Sequence, residues 1–205
     1  FRNTPKTVAY YSSLFGEYPF AQYGQVPVQP FGYGGMEHQT MTTMDRAILH
    51  GNDEDVIAHE LFHQWFGDKT TCETWSDIWL NEGFATFGEM LWEESRRGVA
   101  GYDSILQTKA REFLHPWNNQ YANRIPIYAP PIDLMFSNDY LVVYHKPGMV
   151  IHMLRRMLAN DTLFFNTIRD YSSTFAYSTA NTFQFRDYIE GRAGQKSPMS
   201  LFEYI

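Results

Sequence analysis

The chain has 205 residues, enough to bury one substantial core or two small ones. A composition of 44% hydrophobic and 17% aromatic residues excludes a disordered segment, and a net charge of −7 argues against nucleic acid as a partner. No apolar run approaches the roughly 20 residues of a membrane-spanning helix, no signal peptide is visible, and a start at Phe1-Arg2-Asn3 without Met is what a piece of a longer chain would show.

In chain order, a helix is expected over Lys6–Leu14, ended by Gly16. Val26-Pro27-Val28 reads as a short strand, and its proline places it at a sheet edge. Gly32 to Gly35 is flexible backbone, Met36–Thr43 can run extended, and Ala47-Ile48-Leu49 is a short apolar segment. Asn52 is a good cap for a helix whose first turn holds Asp53, Glu54 and Asp55, acidic residues that favour a helix start. That helix runs to Phe66 and stops at Gly67. The next starts at Ser76 or Asp77 and runs to Arg97, with Gly98 as its stop. Further helices are expected over Tyr102–Leu114, Gly148–Ala159, Asp161–Thr174 and Thr182–Ala193, and Pro126, Pro130 and Pro131 mark a loop region between them. Few early strands and many later helices make this an α+β domain: a small mixed sheet, then a mainly helical part.

The most informative residues are His59-Glu60-Leu61-Phe62-His63 and, further on, Asn81-Glu82. Two histidines four apart on a helix share a face, so their imidazoles can grip one ion. Glu60 can sit beside that ion without binding it, the His-Glu-x-x-His arrangement of zinc hydrolases. Zincins that take a third histidine six residues downstream need Gly at 66 and His at 69; Phe66 and Lys69 stand there instead. Glu82 remains as the third ligand. Two histidines and a carboxylate leave the fourth position open to water, the mark of a catalytic rather than a structural zinc. One zinc per chain is therefore expected, with Glu60 as general base toward water whose pKa the metal lowers. Glu89 lies seven residues after Glu82, on nearly the same helix face, and can hydrogen-bond the far nitrogen of a ligand histidine.

These stretches, read as Val56-Ile57-Ala58-His59-Glu60-Leu61-Phe62-His63-Gln64-Trp65-Phe66-Gly67 and Trp79-Leu80-Asn81-Glu82-Gly83-Phe84-Ala85, closely resemble the gluzincin aminopeptidase family, which includes membrane alanyl aminopeptidase and the leukotriene epoxide hydrolase. Gly34-Gly35-Met36-Glu37 resembles that family's exopeptidase motif, Gly-x-Met-Glu-Asn, and Tyr144-His145-Lys146-Pro147-Gly148 its Tyr-x-Lys-Gly segment with Pro147 inserted. The resemblance runs from about Lys6 to Ile205. It implies a single thermolysin-like catalytic domain over residues 1–205, flanked in the parent protein by a β-rich N-terminal and a helical C-terminal domain.

The same resemblance implies hydrolysis of the N-terminal peptide bond of peptides with a free N-terminus. Tyr144 would stabilise the oxyanion and Glu37 would anchor the α-amino group, with Gly34 and Gly35 letting the backbone approach the peptide and Met36, like the stretch around Met135-Phe136, a candidate for the pocket of the first side chain. His38 departs from the family's Asn; it could replace the amide, add a protonatable group beside Glu37, or turn away. Three other readings stand beside this one: a thermolysin-like endopeptidase, an epoxide hydrolase with secondary peptidase activity, and a relative that keeps the fold without catalysis.

Remaining polar and aromatic residues are expected to be structural. Cys72 is the sole cysteine, so it forms no internal disulfide and reads as a plain thiol. His145 and His152 read as structural, and Trp65, Trp75, Trp79 and Phe84 as core. Compartment and substrate preference are encoded by no motif.

Overall fold

Helix α1 (Thr4–Phe15) carries Pro5 in its first turn, where no N–H is needed, and ends at Gly16, whose φ of 94° suits glycine. The computed structural model describes residues 1–50, 54–115, 124–136 and 140–193. After α1 comes a small mixed sheet of β1 (Gly24–Val28), β2 (Gly35–Met36) and β3 (Met41–Asp45), in the order β1-β3-β2. β1 runs parallel to β3 and β2 antiparallel to it. Pro27 does lie on an edge strand. The extended run expected over Met36–Thr43 is instead broken after Met36, where the chain turns through Thr40 at φ 68° before re-entering the sheet. Ala47, Ile48 and Leu49 fall in a 3-10 turn, Arg46–His50.

Helix α2 (Glu54–Phe62) begins with Glu54 and Asp55; Asn52 and Asp53, the expected cap and first-turn acid, lie outside the described residues. Its regular part stops at Phe62, four residues short of expectation. There the bonds tighten to Gln64 N–H onto Leu61 O and Trp65 N–H onto Phe62 O, the usual way a last helical turn satisfies its carbonyls. Gly67, at φ 143°, makes the expected stop.

Strand β4 (Thr70–Cys72) pairs in parallel with β5 (Ser178–Ala180), a two-stranded ribbon the sequence reading lacked. Three residues are too few to show alternation, so such strands leave no period to read. A 3-10 turn at Trp75–Asp77, held by Ser76 N–H donating to the Thr74 hydroxyl, leads into α3 (Trp79–Leu114). Gly98 breaks α3 at φ 68° and ψ −164°, as its role as a stop implied, but the chain resumes helix at once. The two arms, 79–97 and 99–114, therefore meet at a bend.

Helices α4 (His145–Leu158), α5 (Asp161–Thr174) and α6 (Thr182–Ala193) complete the helical part. α4 starts three residues earlier than expected because Pro147 fits its first turn, where the proline's missing N–H would be unpaired anyway. α3 packs on α2 and α4. The core between them is aromatic: Phe66 stacks on Phe62 at 5.3 Å and on Phe84 at 4.4 Å, and Phe15 and Tyr11 meet Phe62 edge-on. Trp65, Trp79 and Phe84 are fully buried, but Trp75 is 53% exposed, against expectation, because its short 3-10 turn sits on the surface. No helix among the described residues is long and apolar enough to cross a membrane.

Candidate metal centre

α2 has two faces. Leu61 and Phe62, with Trp65 and Phe66 in the tight turn that follows, enter the aromatic core, while His59 and His63 face the first arm of α3, which brings Glu82 against both and Glu89 against His59. His59, His63 and Glu82 each offer one donor atom, all within 4.8 Å of one another, and all three residues are buried. His59 Nε2 lies 3.1 Å and His63 Nε2 3.3 Å from the same oxygen, Glu82 Oε2. Glu82 is thus placed by the fold beside both histidines, as the sequence spacing implied.

The outer ring nitrogens test whether a metal fits. His59 Nδ1 lies 2.8 Å from Glu89 Oε1, and His63 Nδ1 lies 3.0 Å from the carbonyl of Phe66. Both partners are acceptors, so each Nδ1 carries the proton and donates it. Each Nε2 of the neutral ring then turns a lone pair toward Glu82 Oε2. Two nitrogen lone pairs at 3.1 and 3.3 Å from one carboxylate oxygen need a positive charge between them. Ligands bound at about 2.0–2.1 Å in a tetrahedron stand about 3.3 Å apart, so the donor set matches a four-coordinate metal in spacing and in chemistry.

Without a metal, protons fill that role. Burial disfavours a charged His59, but hydrogen bonds to Glu82 and Glu89 outweigh it and push its pKa up to about 9. His63 is pushed up as well, its burial outweighed by Glu37 and Glu82. Burial would raise Glu82, yet His63 and His59 pull it down to about 2, and Lys109 and His59 do the same for the buried Glu89.

Glu60 sits beside this centre. Burial pushes its pKa up to about 7, the two histidines oppose the rise, and Glu37 and Glu82 add to it. One of its oxygens is buried with no hydrogen-bond partner. Gly35, on the edge strand β2, lies directly against the Glu60 carboxylate. Glu37 offers an oxygen within 4.8 Å of donor atoms on Glu60 and His63, and its main-chain carbonyl accepts from Gln64 Nε2 at 3.1 Å. Gly34, at φ 78°, supplies the turn into β2, and Met36 is partly exposed on it. His38 is exposed, and its Nδ1 meets the Thr43 hydroxyl at 3.0 Å across the hairpin.

Tyr144 caps the start of α4, its ring 5.8 Å from that of His59. Burial first, and then Glu82, Glu60 and Glu37, raise the pKa of its phenol, so it stays protonated at neutral pH and available as a donor. Gly83 and Gly148 let α3 and α4 approach closely: a Cβ at Gly83 would meet Pro147 at 2.7 Å, and one at Gly148 would meet Thr86 at 2.7 Å.

The model of the Peptidase family M1 domain matches residues 1–202. The chain belongs to peptidase family M1. It is 30% identical to a leukotriene A-4 hydrolase of Xenopus laevis over 201 residues, covering 92% of this chain and 32% of that protein. It is 29% identical to an aminopeptidase N of Canis lupus familiaris, covering 90% of this chain and 20% of that one. Among solved structures it resembles an M1 zinc metallopeptidase from Deinococcus radiodurans bound to a Tyr-Ser-Ala substrate, with a TM-score of 0.80 and 27% identity over 98% of this chain and 43% of that one. It also resembles native yeast LTA4 hydrolase, with a TM-score of 0.85 and 25% identity over 98% of this chain and 33% of that one. The chain therefore spans a third or less of the length of these curated relatives.

Within this M1 domain some contacts had no counterpart in the sequence reading. The Phe66 carbonyl, in the tight turn after α2, orients His63. Lys109 forms an ion pair with Glu89 Oε2 at 2.5 Å. A signal for it existed: Lys109 falls in the apolar stripe of Tyr102, Leu106 and Phe113, where a lysine needs a buried partner. The residues read as structural behave so. His145 meets Glu112 and His152 meets the Tyr102 hydroxyl, while burial pushes the Cys72 thiol up to about 11. Glu54 is taken up by Asn3 and Arg96.

Proposed function

We propose that this chain is the thermolysin-like catalytic domain of a zinc aminopeptidase, one part of a longer multidomain enzyme, which removes the N-terminal residue of peptides. The observation that carries the reading is the convergence of His59 Nε2, His63 Nε2 and Glu82 Oε2 beside the Glu60 carboxylate, which keeps one oxygen unpartnered.

His59, His63 and Glu82 would hold zinc. Bound there, zinc supplies Lewis acidity, lowering the pKa of water toward ~7 and polarising a carbonyl oxygen. Glu60 takes the proton from the attacking water at its open oxygen and later delivers it to the leaving amine. A group whose pKa is pushed up to about 7 can both accept and release a proton near neutrality. The Tyr144 hydroxyl donates to the oxygen that becomes negative. Glu37 receives the α-ammonium group, and the three carboxylates gathered near Tyr144 and the histidines (Glu37, Glu60 and Glu82) favour a cationic terminus. Edge strand β2 can pair with the substrate backbone, with open space at Gly34 and with Gly35 letting the strand lie against Glu60.

The decisive experiment measures zinc content and hydrolysis of free-amine and N-acetylated aminoacyl substrates. One zinc per chain, lost in His63→Ala, with Glu60→Gln keeping zinc but losing free-amine cleavage, supports the reading. Cleavage of acetylated substrates at the same rate would make the protein an endopeptidase, and absence of specific zinc would remove the basis of the proposal. Similarity to leukotriene A-4 hydrolase gives a second reading, epoxide opening at the same centre. An epoxide substrate consumed faster than any peptide would favour it.

A further inference from the structure

The second arm of α3 reaches back to the metal centre through one residue. Lys109 and Glu89 form an ion pair in which both side chains are only 9% exposed. Glu89 is held at both oxygens: Oε2 by Lys109 and Oε1 by the Nδ1–H of His59. Twenty residues and the bend at Gly98 separate the two charges in sequence, so the pair also fixes the angle between the arms of α3. One turn beyond Lys109, Glu112 accepts from His145 Nε2 at 2.9 Å and so ties the same arm to the start of α4, next to Tyr144.

A carboxylate with two oxygens and one bond can swing about its Cγ–Cδ axis, and the imidazole it orients swings with it. A carboxylate pinned at both ends cannot. We propose, on the reading given above, that Lys109 is a positioning residue of the metal centre: it locks Glu89, and through Glu89 the ring plane of His59, so that Nε2 stays aimed at the metal. Removing the partners that orient a ligand histidine lowers metal affinity about 10- to 100-fold.

The test is zinc affinity, measured by competition with a chelator on the intact protein, for wild type, Glu89→Gln, Lys109→Met and the double variant, with thermal unfolding of the metal-free forms as a check on folding. Lys109→Met is expected to weaken zinc binding by ~10-fold or more, with partial recovery in Lys109→Arg. In the Glu89→Gln background the same change should add less than ~2-fold, because its route to His59 is already cut. A folded Lys109→Met protein with wild-type zinc affinity would overturn the proposal, as would a full additional loss in the double variant. Should Lys109→Met alone fail to fold from its stranded Glu89 charge, the double variant, neutral at both positions, still decides. Wild-type protein that binds no zinc would instead sink the metal site itself, an outcome distinct from any difference among the variants.

Discussion

Gly35 lies against the carboxylate of Glu60 with no room for a side chain between them. The strand that would hold the substrate backbone is therefore also the wall against which Glu60, the proposed general base, is placed. Gly35→Ala is expected to drive the Glu60 carboxylate out of line. A misplacement of about 1 Å in a catalytic group can cost ~10²-fold in rate. The expected outcome is a kcat lower by ~10²-fold with zinc content unchanged, since the nearest atoms to a Cβ at Gly35 all belong to Glu60, which is not a proposed ligand. Steady-state kinetics with metal analysis checks it, and wild-type kcat in the alanine variant would show that Glu60 is not the base or is not held by Gly35.

Tyr144 offers a protonated phenol near the metal centre, its ring close to that of His59. Tyr144→Phe keeps the ring contact and deletes the hydroxyl alone. If the hydroxyl meets charge only in the transition state, kcat should fall by ~10²–10³ while KM and zinc affinity barely move. A rise in KM at constant kcat would assign Tyr144 to ground-state binding instead.

Gly88 occupies a different kind of close approach. A Cβ there would meet the ring of Phe62 at 2.5 Å and its Cβ at 2.8 Å, and Phe62 is fully buried and stacked on Phe66. The Gly88 carbonyl also accepts from the Tyr11 hydroxyl at 2.9 Å. Alanine would gain about 1 kcal/mol of helix propensity. Overpacking against a ring that cannot move costs up to about 3 kcal/mol, so a net loss of about 2 kcal/mol is expected in Gly88→Ala. Chemical denaturation of the metal-free protein measures it, and a neutral or stabilised variant would mean that α2 and α3 can separate locally.

What the sequence disclosed here, and what it withheld, follows the range of the interactions. His59 and His63 are one turn apart, and Glu82 and Glu89 two turns apart, so helical spacing alone predicts which of them share a face. α4 and α5 show for the same reason: each presents an apolar face at helical spacing, and Asn160 caps α5 by accepting from Leu163 N–H. β4 and β5 pair residues more than a hundred positions apart through three-residue strands, which carry neither period nor local turn chemistry. Lys109 is intermediate. Its odd place in an apolar stripe was visible, but its partner lay across a bend whose angle only the packed structure sets. His38 shows the limit of a motif read position by position: the neighbour it meets is Thr43, supplied by the other strand of the hairpin.

Zinc and protons should compete for the centre, with a defined sign. His59 is pushed up to about 9 from an ordinary 6.5, so its contribution to the metal-free fold is complete below 6.5 and is lost as pH rises through 9. Glu82 and Glu89 are pulled down to about 2 from 4.5, so their contribution is present above 4.5 and is lost as pH falls through 2. The metal-free cluster is thus most stabilising between 4.5 and 6.5 and weakens on the alkaline side. Zinc needs the same nitrogens unprotonated, so its affinity should climb as pH rises toward 9. The melting temperature of the metal-free protein should therefore fall from pH ~6.5 to ~9 while the added stabilisation by zinc grows over the same interval. At neutral pH, zinc binding should release about one proton or more, measurable by calorimetry in buffers of different ionisation enthalpy. Zinc stabilisation that is flat with pH, or binding without proton release, would show that His59 is already neutral in the metal-free chain and that its hydrogen bonds to Glu82 and Glu89 do not hold the charge assigned to them.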